Sequence, residues 1–352
     1  MKKSLLALAV LGAFAGAASA QSSVTLFGVV DESVNNVKNG DAKTTTMQSN
    51  QLNSNRLGFR GVEDLGGGLK AGFWLEAGMA NESGIEGGSN GLAAPGAGSS
   101  IFNRRSTVSL ISDSLGELRF GRDYDPSFWN TVFDDVDGAN GLGEGLNLIS
   151  SLGSGAITVA RDNNSVGYFL PSNLGGLYGQ AMGALGQGVN GQKYWGGRLG
   201  FAAGPFDVNA GYGDTKTNQI VGSNPDFKMW NVGGSYDFGV AKIFGYYNRN
   251  TWSPLSQGVY ELSLSVPLGQ GEFRASYGHE KASGIVALNG HSATLYSVEY
   301  VYNLSKRTAM YTTAARISNK GNAAFSVLPG TASLNLAGNS STGFNVGLRH
   351  SF

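Results

Sequence analysis

A closed transmembrane barrel of about sixteen antiparallel strands, with one loop folded inward, is the all-β fold this sequence predicts. Three observations predict it. After residue 20 no apolar run reaches about 18 residues, so a spanning helix is excluded. Lipid leaves no water for unpaired backbone groups, and a closed barrel is then the remaining way to cross a membrane. Charged residues are 14% of the chain, against about 25% in soluble domains. Aromatics reach 11%, glycines number 55 of 352, and short segments of alternating polarity recur along the whole length.

Taken in order, the chain opens with Lys2 and Lys3, an apolar core from Leu5 to Phe14, and Ala18-Ser19-Ala20. This pattern is expected to be a signal peptide over 1–20, with the barrel domain over 21–352. Setting aside Lys2 and Lys3 leaves 23 of the 25 basic side chains against 25 acidic ones, a formal charge of −2. That balance does not suit a nucleic-acid binder. With Cys 0, neither disulfides nor thiolate metal sites stabilise the chain, and no metal site or cofactor is expected.

The strands are read from period-two alternation. Tyr296, Val298, Tyr300 and Tyr302 share one face, with Ser297 and Glu299 on the other; Tyr260, Leu262, Leu264, Val266 and Leu268 alternate with Glu261, Ser263 and Ser265. The first set of each should meet lipid. Such segments run from 23–35 and 52–64 through to 341–352. Connections alternate in length. Short turns such as Leu65 to Gly68 and Leu268 to Gly271 fit the periplasmic rim; Lys38 to Gln51, Asn81 to Ser100, Lys216 to Asp226, Gly284 to His291 and Asn319 to Ser340 fit the outside.

The rhythm stops once, between Gly121 and Arg161. GRDYDPSFWNTVFDDVDGANGLGEG carries a turn at Asp125-Pro126, the aromatics Phe128, Trp129 and Phe133, and the acids Asp134, Asp135, Asp137 and Glu144. Loops this long are normally functional or disordered, and this one is too aromatic for simple disorder. It is expected to fold into the lumen, its acids facing arginines of the wall.

At NRLGFRGVEDLGGGLKAGFWLE (55–76) and GELRFGRDYDP (116–126) the chain resembles the general-diffusion porins of Gram-negative outer membranes. The start QSSVTLFGVVD and the end VGLRHSF are similar to porins of β-proteobacteria. The resemblance implies a passive channel for ions and small hydrophilic solutes, a homotrimer of separate pores, and contact with outer-membrane lipid and lipopolysaccharide. It also implies assembly by barrel assembly machinery that reads Phe352. It places Arg56, Arg122 and Arg161 on a basic wall opposite the loop acids. Here the loop reads GLGEG where relatives have P-E-F-G-G, which leaves open which acid faces the pore, and Val29 stands where some relatives place a lumen lysine. Alternation turns Arg56, Arg60 and Arg119 inward; Arg122 turns inward only if a bulge interrupts the strand at Gly121. Arg60, Arg104, Arg105 and Arg119 are either pore lining or ordinary solvated residues.

An enzyme is not expected. The three histidines, His279, His291 and His350, lie in no nucleophile motif, and doublets such as Gly233-Gly234 lack the context of a phosphate loop. A substrate-selective or receptor-like barrel using the same wall is the alternative to free diffusion. The three carried-over arginines lean the expectation toward anions.

Overall fold

The computed structural model describes residues 23–87, 101–217, 226–285, 288, 290–331, 333 and 335–352. The expected signal peptide lies outside the described residues, as do 88–100 and 218–225 of the expected outer loops.

The first hairpin departs from the expected pattern. Strand β1 (Ser23–Asn39) continues past residue 35, turns at Gly40 and pairs with β2 (Ala42–Ser49), so the stretch expected as a polar loop is an extension of the wall. Its alternating, threonine-rich AKTTTMQS favours extended backbone, because β-branched side chains suit a pleated surface. Strand β3 (Arg56–Gly66) pairs with the lower part of β1, so β2 and β3 share one position in the barrel, interrupted at 50–55.

The wall continues through β4 (Leu69–Ala80), with a two-residue flap β5 (Ile85–Glu86), then β6 (Arg105–Ser112), β7 (Gly116–Tyr124), β8 (Arg161–Phe169), β9 (Leu177–Ala184), β10 (Tyr194–Ala203) and β11 (Phe206–Thr215). It is completed by β12 (Phe227–Asp237), β13 (Lys242–Trp252), β14 (Leu255–Leu268), β15 (Gly271–Ser283), β16 (Ser292–Asn303), β17 (Thr308–Lys320) and β18 (Ser340–Ser351). Every pairing is antiparallel to a neighbour in this order, and β18 closes on β1 with Val34 opposite Val346. The result is a closed barrel of sixteen strand positions. Phe352 finishes the seam: its N–H donates to the Gly28 carbonyl at 3.0 Å and its carbonyl accepts from Gly28 at 3.1 Å.

Alternation sorts the faces as a barrel in lipid requires. On β14, Leu262 is 58% exposed while its neighbour Glu261 is 3% exposed. The short β3–β4 turn depends on glycine: Gly66, Gly67 and Gly68 all have positive φ, where a side chain would be strained. The apolar core lies inside the lumen. Leu142 and Leu148, from the segment after β7, pack with Val37, Val259, Leu295 and Ile317 of the wall and with Val327, from the connection between β17 and β18.

Candidate functional site

The long connection after β7 enters the lumen as a helix, α1 (Pro126–Phe133). Asp125 caps it, accepting from Ser127 N at 2.7 Å and Phe128 N at 3.1 Å, and Pro126 occupies the first turn, where no N–H is needed. The helix is stitched to the β11–β12 wall: Asn130 Nδ2 donates to Asn231 Oδ1 (3.0 Å), and Asn231 Nδ2 donates to the Ser127 carbonyl (2.8 Å). Glycines permit the approach. A Cβ on Gly211 would meet Asn231 Oδ1 at 2.8 Å, and one on Gly233 would meet the Asp134 carboxyl at 2.2 Å.

Beyond α1 the loop stays on the same side. Val136 N donates to Ser263 Oγ (3.3 Å), Ser150 N to Gln257 Oε1 (2.8 Å), and Gln257 Nε2 to the Leu148 carbonyl (3.1 Å). A Cβ on Gly145 would stand 1.8 Å from Glu261 Oε2 and 2.1 Å from the Tyr246 hydroxyl.

Three of the four loop acids are therefore buried against a wall that is itself acidic. Asp134 accepts from Asn209 Nδ2 at 3.0 Å. Asp135 accepts from the N–H groups of Asp137 and Gly145 and meets Glu261 carboxyl to carboxyl, a contact that requires a shared proton. Asp137 sits near Glu299, which is paired to Arg274 at 3.0 Å. Burial pushes the Asp134 carboxyl up to about 7 and raises that of Asp135. Burial, with the negative neighbours Glu299 and Asp135, pushes Asp137 well above the usual carboxylate range. Glu144 alone of the four lines the open outer cavity of about 750 Å³, together with Arg104, Asn140, Asn147 and Gln51. Its carboxyl is held up at about 8 by burial and by Asp135.

The opposite wall, β3 to β8, carries guanidiniums. Arg104 Nε binds Glu76 Oε1 at 2.6 Å, and Arg56 Nη1 shares that oxygen at 3.6 Å. Arg104 Nη2 and Arg161 Nη2 both donate to the Tyr124 hydroxyl, at 2.6 and 2.5 Å, and Arg161 lies 4.1 Å from the Tyr124 ring centre. Tyr124 in turn stacks on Phe128 and meets Trp129 at a tilt, both of α1, so the loop's aromatics back the arginine cluster. Arg56, Arg104 and Arg161 thus converge on one tyrosine and one glutamate.

Arg122 is placed differently from its expected partners. A bulge does lie between Gly121 and Asp123, but two steps along β7 there span three along β8. On the β6 side the register runs unbroken, pairing Arg122 with Ser106 in the row of the outward Val108 and Phe120. The Arg122 guanidinium donates to the Asn103 carbonyl (2.6 Å) and to Asn163 Oδ1 (2.7 Å), at the head of the β7–β8 pair. Arg104 takes the third place at the cluster. Arg105 and Arg119 face the lumen and meet Asp123 at 3.6 and 2.5 Å.

Sequence reasoning passed over Glu76, Tyr124 and the support of Arg56. Glu76 was accessible by parity, because Phe73, Leu75 and Ala77 alternate with Trp74 and Glu76. The support of Arg56 comes from the wall break at 50–55, whose backbone folds onto Asp31: Asp31 Oδ2 accepts from Leu52 N at 2.6 Å and from Asn53 N at 2.5 Å, and the Tyr311 hydroxyl donates to Oδ1. The pinned segment then orients Arg56, which donates to the Ser54 carbonyl (2.9 Å) and to Asn53 Oδ1 (2.5 Å).

Comparison with known proteins gives one consistent picture. A family profile described as Gram-negative porin matches residues 7–322. The chain is 38% identical over 374 residues to outer membrane porin protein 32 of Delftia acidovorans, with 100% of both chains covered. It is 30% identical to an outer membrane porin protein of Bordetella pertussis, again over 100% of both. Among solved structures it is similar to an anion-selective porin from Comamonas acidovorans, at 32% identity and a TM-score of 0.83, covering 94% of this chain and 100% of that one.

Proposed function

This chain belongs to the Gram-negative porin family and resides in the outer membrane, and from that premise we propose that it is a passive diffusion channel preferring anions. Arg56, Arg104 and Arg161 on one side and the edge of the inward loop at Glu144 on the other form its constriction. The observation that carries this reading is the asymmetry of the lumen. Arginine cannot lose its proton in a protein, whereas the loop acids are buried where the neutral form is favoured. Near neutral pH the wall charge therefore outweighs the loop charge, and arginine clusters in a pore favour anions. The anion-selective relative of similar fold supports the same sign. Trimeric assembly, each barrel a separate pore, follows the habit of the family; a barrel structure of Vibrio cholerae OmpT, similar in fold, is described in a trimer form.

The test is the reversal potential in a salt gradient across a planar bilayer. Replacing Arg56 and Arg161 by Glu should move it toward cations, most strongly at low salt, where screening is weakest. Replacing Lys216 or Lys320, at the ends of external connections, should do much less. Equal effects from both pairs would remove the constriction from the arginine cluster.

A further inference from the structure

Four residues along β3 from Arg56, a second set of guanidiniums lines the lumen on the short-turn side. Four residues of extended chain span roughly 13 Å, so Arg60 stands apart from the Tyr124 cluster, to which Trp74 links this set by donating Nε1 to Glu76 Oε2 at 2.9 Å. Trp74, on β4, is flanked by Arg60 from β3 and Arg105 from β6, their guanidinium carbons 5.0 and 4.5 Å from its ring centre. Arg60 also lies 5.3 Å from the Phe27 ring, and Phe27 meets Trp74 edge-on at 5.1 Å. Arg60, Trp74 and Arg105 border a recess of about 400 Å³, lined further by Thr25, Ser109 and Arg119.

The arginines here differ in what they are bonded to. Arg119 is committed, with Glu117 at 2.7 Å and Asp123 at 2.5 Å. Arg105 shares Asp123 at 3.6 Å. Arg60 is exposed, and among the described residues no carboxylate lies within 4 Å of it; aromatic rings hold it instead. An aromatic face steadies a guanidinium through its π cloud without engaging the N–H groups, which stay free to donate to an anion in the water alongside. Arg105 keeps part of the same freedom, because its carboxylate neighbour Asp123 lies at 3.6 Å and is already engaged by Arg119 at 2.5 Å.

We infer that Arg60 and Arg105, set on either side of Trp74, form a second anion station between the constriction and the periplasmic mouth, suited to small anions of single charge such as chloride or a monocarboxylate. The restriction to one charge follows from the local balance: three guanidiniums, Arg60, Arg105 and Arg119, face two carboxylates, Glu117 and Asp123, which leaves one positive charge over. Fast conduction needs sites that hold an ion weakly and in succession. A station one step below the arginine cluster gives a departing anion somewhere to go before it reaches open water. The inference rests on the anion-channel reading and adds to it a named exit site.

The experiment is single-channel recording of the full-length protein, reconstituted in one orientation in potassium chloride and then in potassium acetate. Recordings are made at roughly 0.1 M, where the Debye length is about 10 Å, and at roughly 1 M, where it is about 3 Å. Arg60→Gln should lower the low-salt conductance about two- to threefold, the effect of one unit charge acting at several ångströms through water. The loss should be larger when anions enter from the periplasmic side and should vanish at high salt. Arg60→Lys, which keeps the charge, should retain most of the current and shows that the site tolerates substitution. An unchanged low-salt current in Arg60→Gln, or a loss equal for both polarities, would overturn the station while leaving the constriction intact. An unmutated channel with no anion preference would overturn both.

Discussion

The wall from β3 to β8 and the wall from β11 to β17 both carry charge into the same lumen, but they manage it in opposite ways. On the first, guanidiniums are held by a tyrosine hydroxyl, aromatic faces and few carboxylates, so their charge remains available to the pore. On the second, Glu261 and Glu299 meet the loop acids Asp135 and Asp137, and the loop covers them. Burial beside these carboxylates favours the neutral forms of the loop acids and hides what charge is left. A net formal charge near zero therefore conceals a strongly polarised pore, and the polarity comes from which groups are covered.

The comparison breaks most severely if the loop leaves its wall. Gly145→Val forces a side chain into the space held by Glu261 Oε2 and the Tyr246 hydroxyl, and overpacking of this kind costs about 1–3 kcal/mol. The expected outcome is a loop cleaved faster by protease in the intact barrel, noisier single-channel currents and weaker anion preference. A variant as protease-resistant and quiet as the unmutated protein would mean that the glycine contact does not hold the loop.

A smaller effect should come from the arginine side, through a residue that carries no pore charge of its own. Asp31→Ala leaves the buried N–H of Leu52 without an acceptor, at about 1–3 kcal/mol, and the half-buried N–H of Asn53 at less. The 50–55 break should loosen and Arg56 should lose its fixed orientation. Reversal potentials would then move part of the way toward those of Arg56→Gln, with Tyr311→Phe moving less. If Asp31→Ala lowers barrel stability and leaves selectivity untouched, Asp31 supports the wall and does not position Arg56.

The smallest expected effect is that of pH. The carboxyls of Asp134 and Glu144 rise in the docked loop to about 7 and about 8. The docked state therefore binds more protons than a free loop, whose acids titrate near 4. Its extra stability is complete below that value and is lost as pH rises through 7 to 8. Loop noise should increase between about pH 6 and 9, and anion preference should weaken as the acids ionise. A selectivity flat across that range would mean that these acids are already charged at neutral pH.

Alternation alone determined the barrel, its lipid-facing rows and the inward direction of Arg56, Arg60 and Arg119, because a period-two pattern assigns a face without knowledge of any partner. The break in that pattern was enough to locate the inward loop. Which wall the loop would lie against was decided only in three dimensions. Gly211, Gly233 and Gly145 read in sequence as ordinary glycines, and become a docking surface only when β11 to β14 lie beside the loop. The same holds for Arg122 and Arg104. A bulge at Gly121 could be anticipated from the chain, but which strand carries the extra residue depends on how β7 pairs on each side. Charge sign is a property of the side chain. Whether a charge is spent on a neighbour or left to the pore depends on contacts between residues a hundred positions apart.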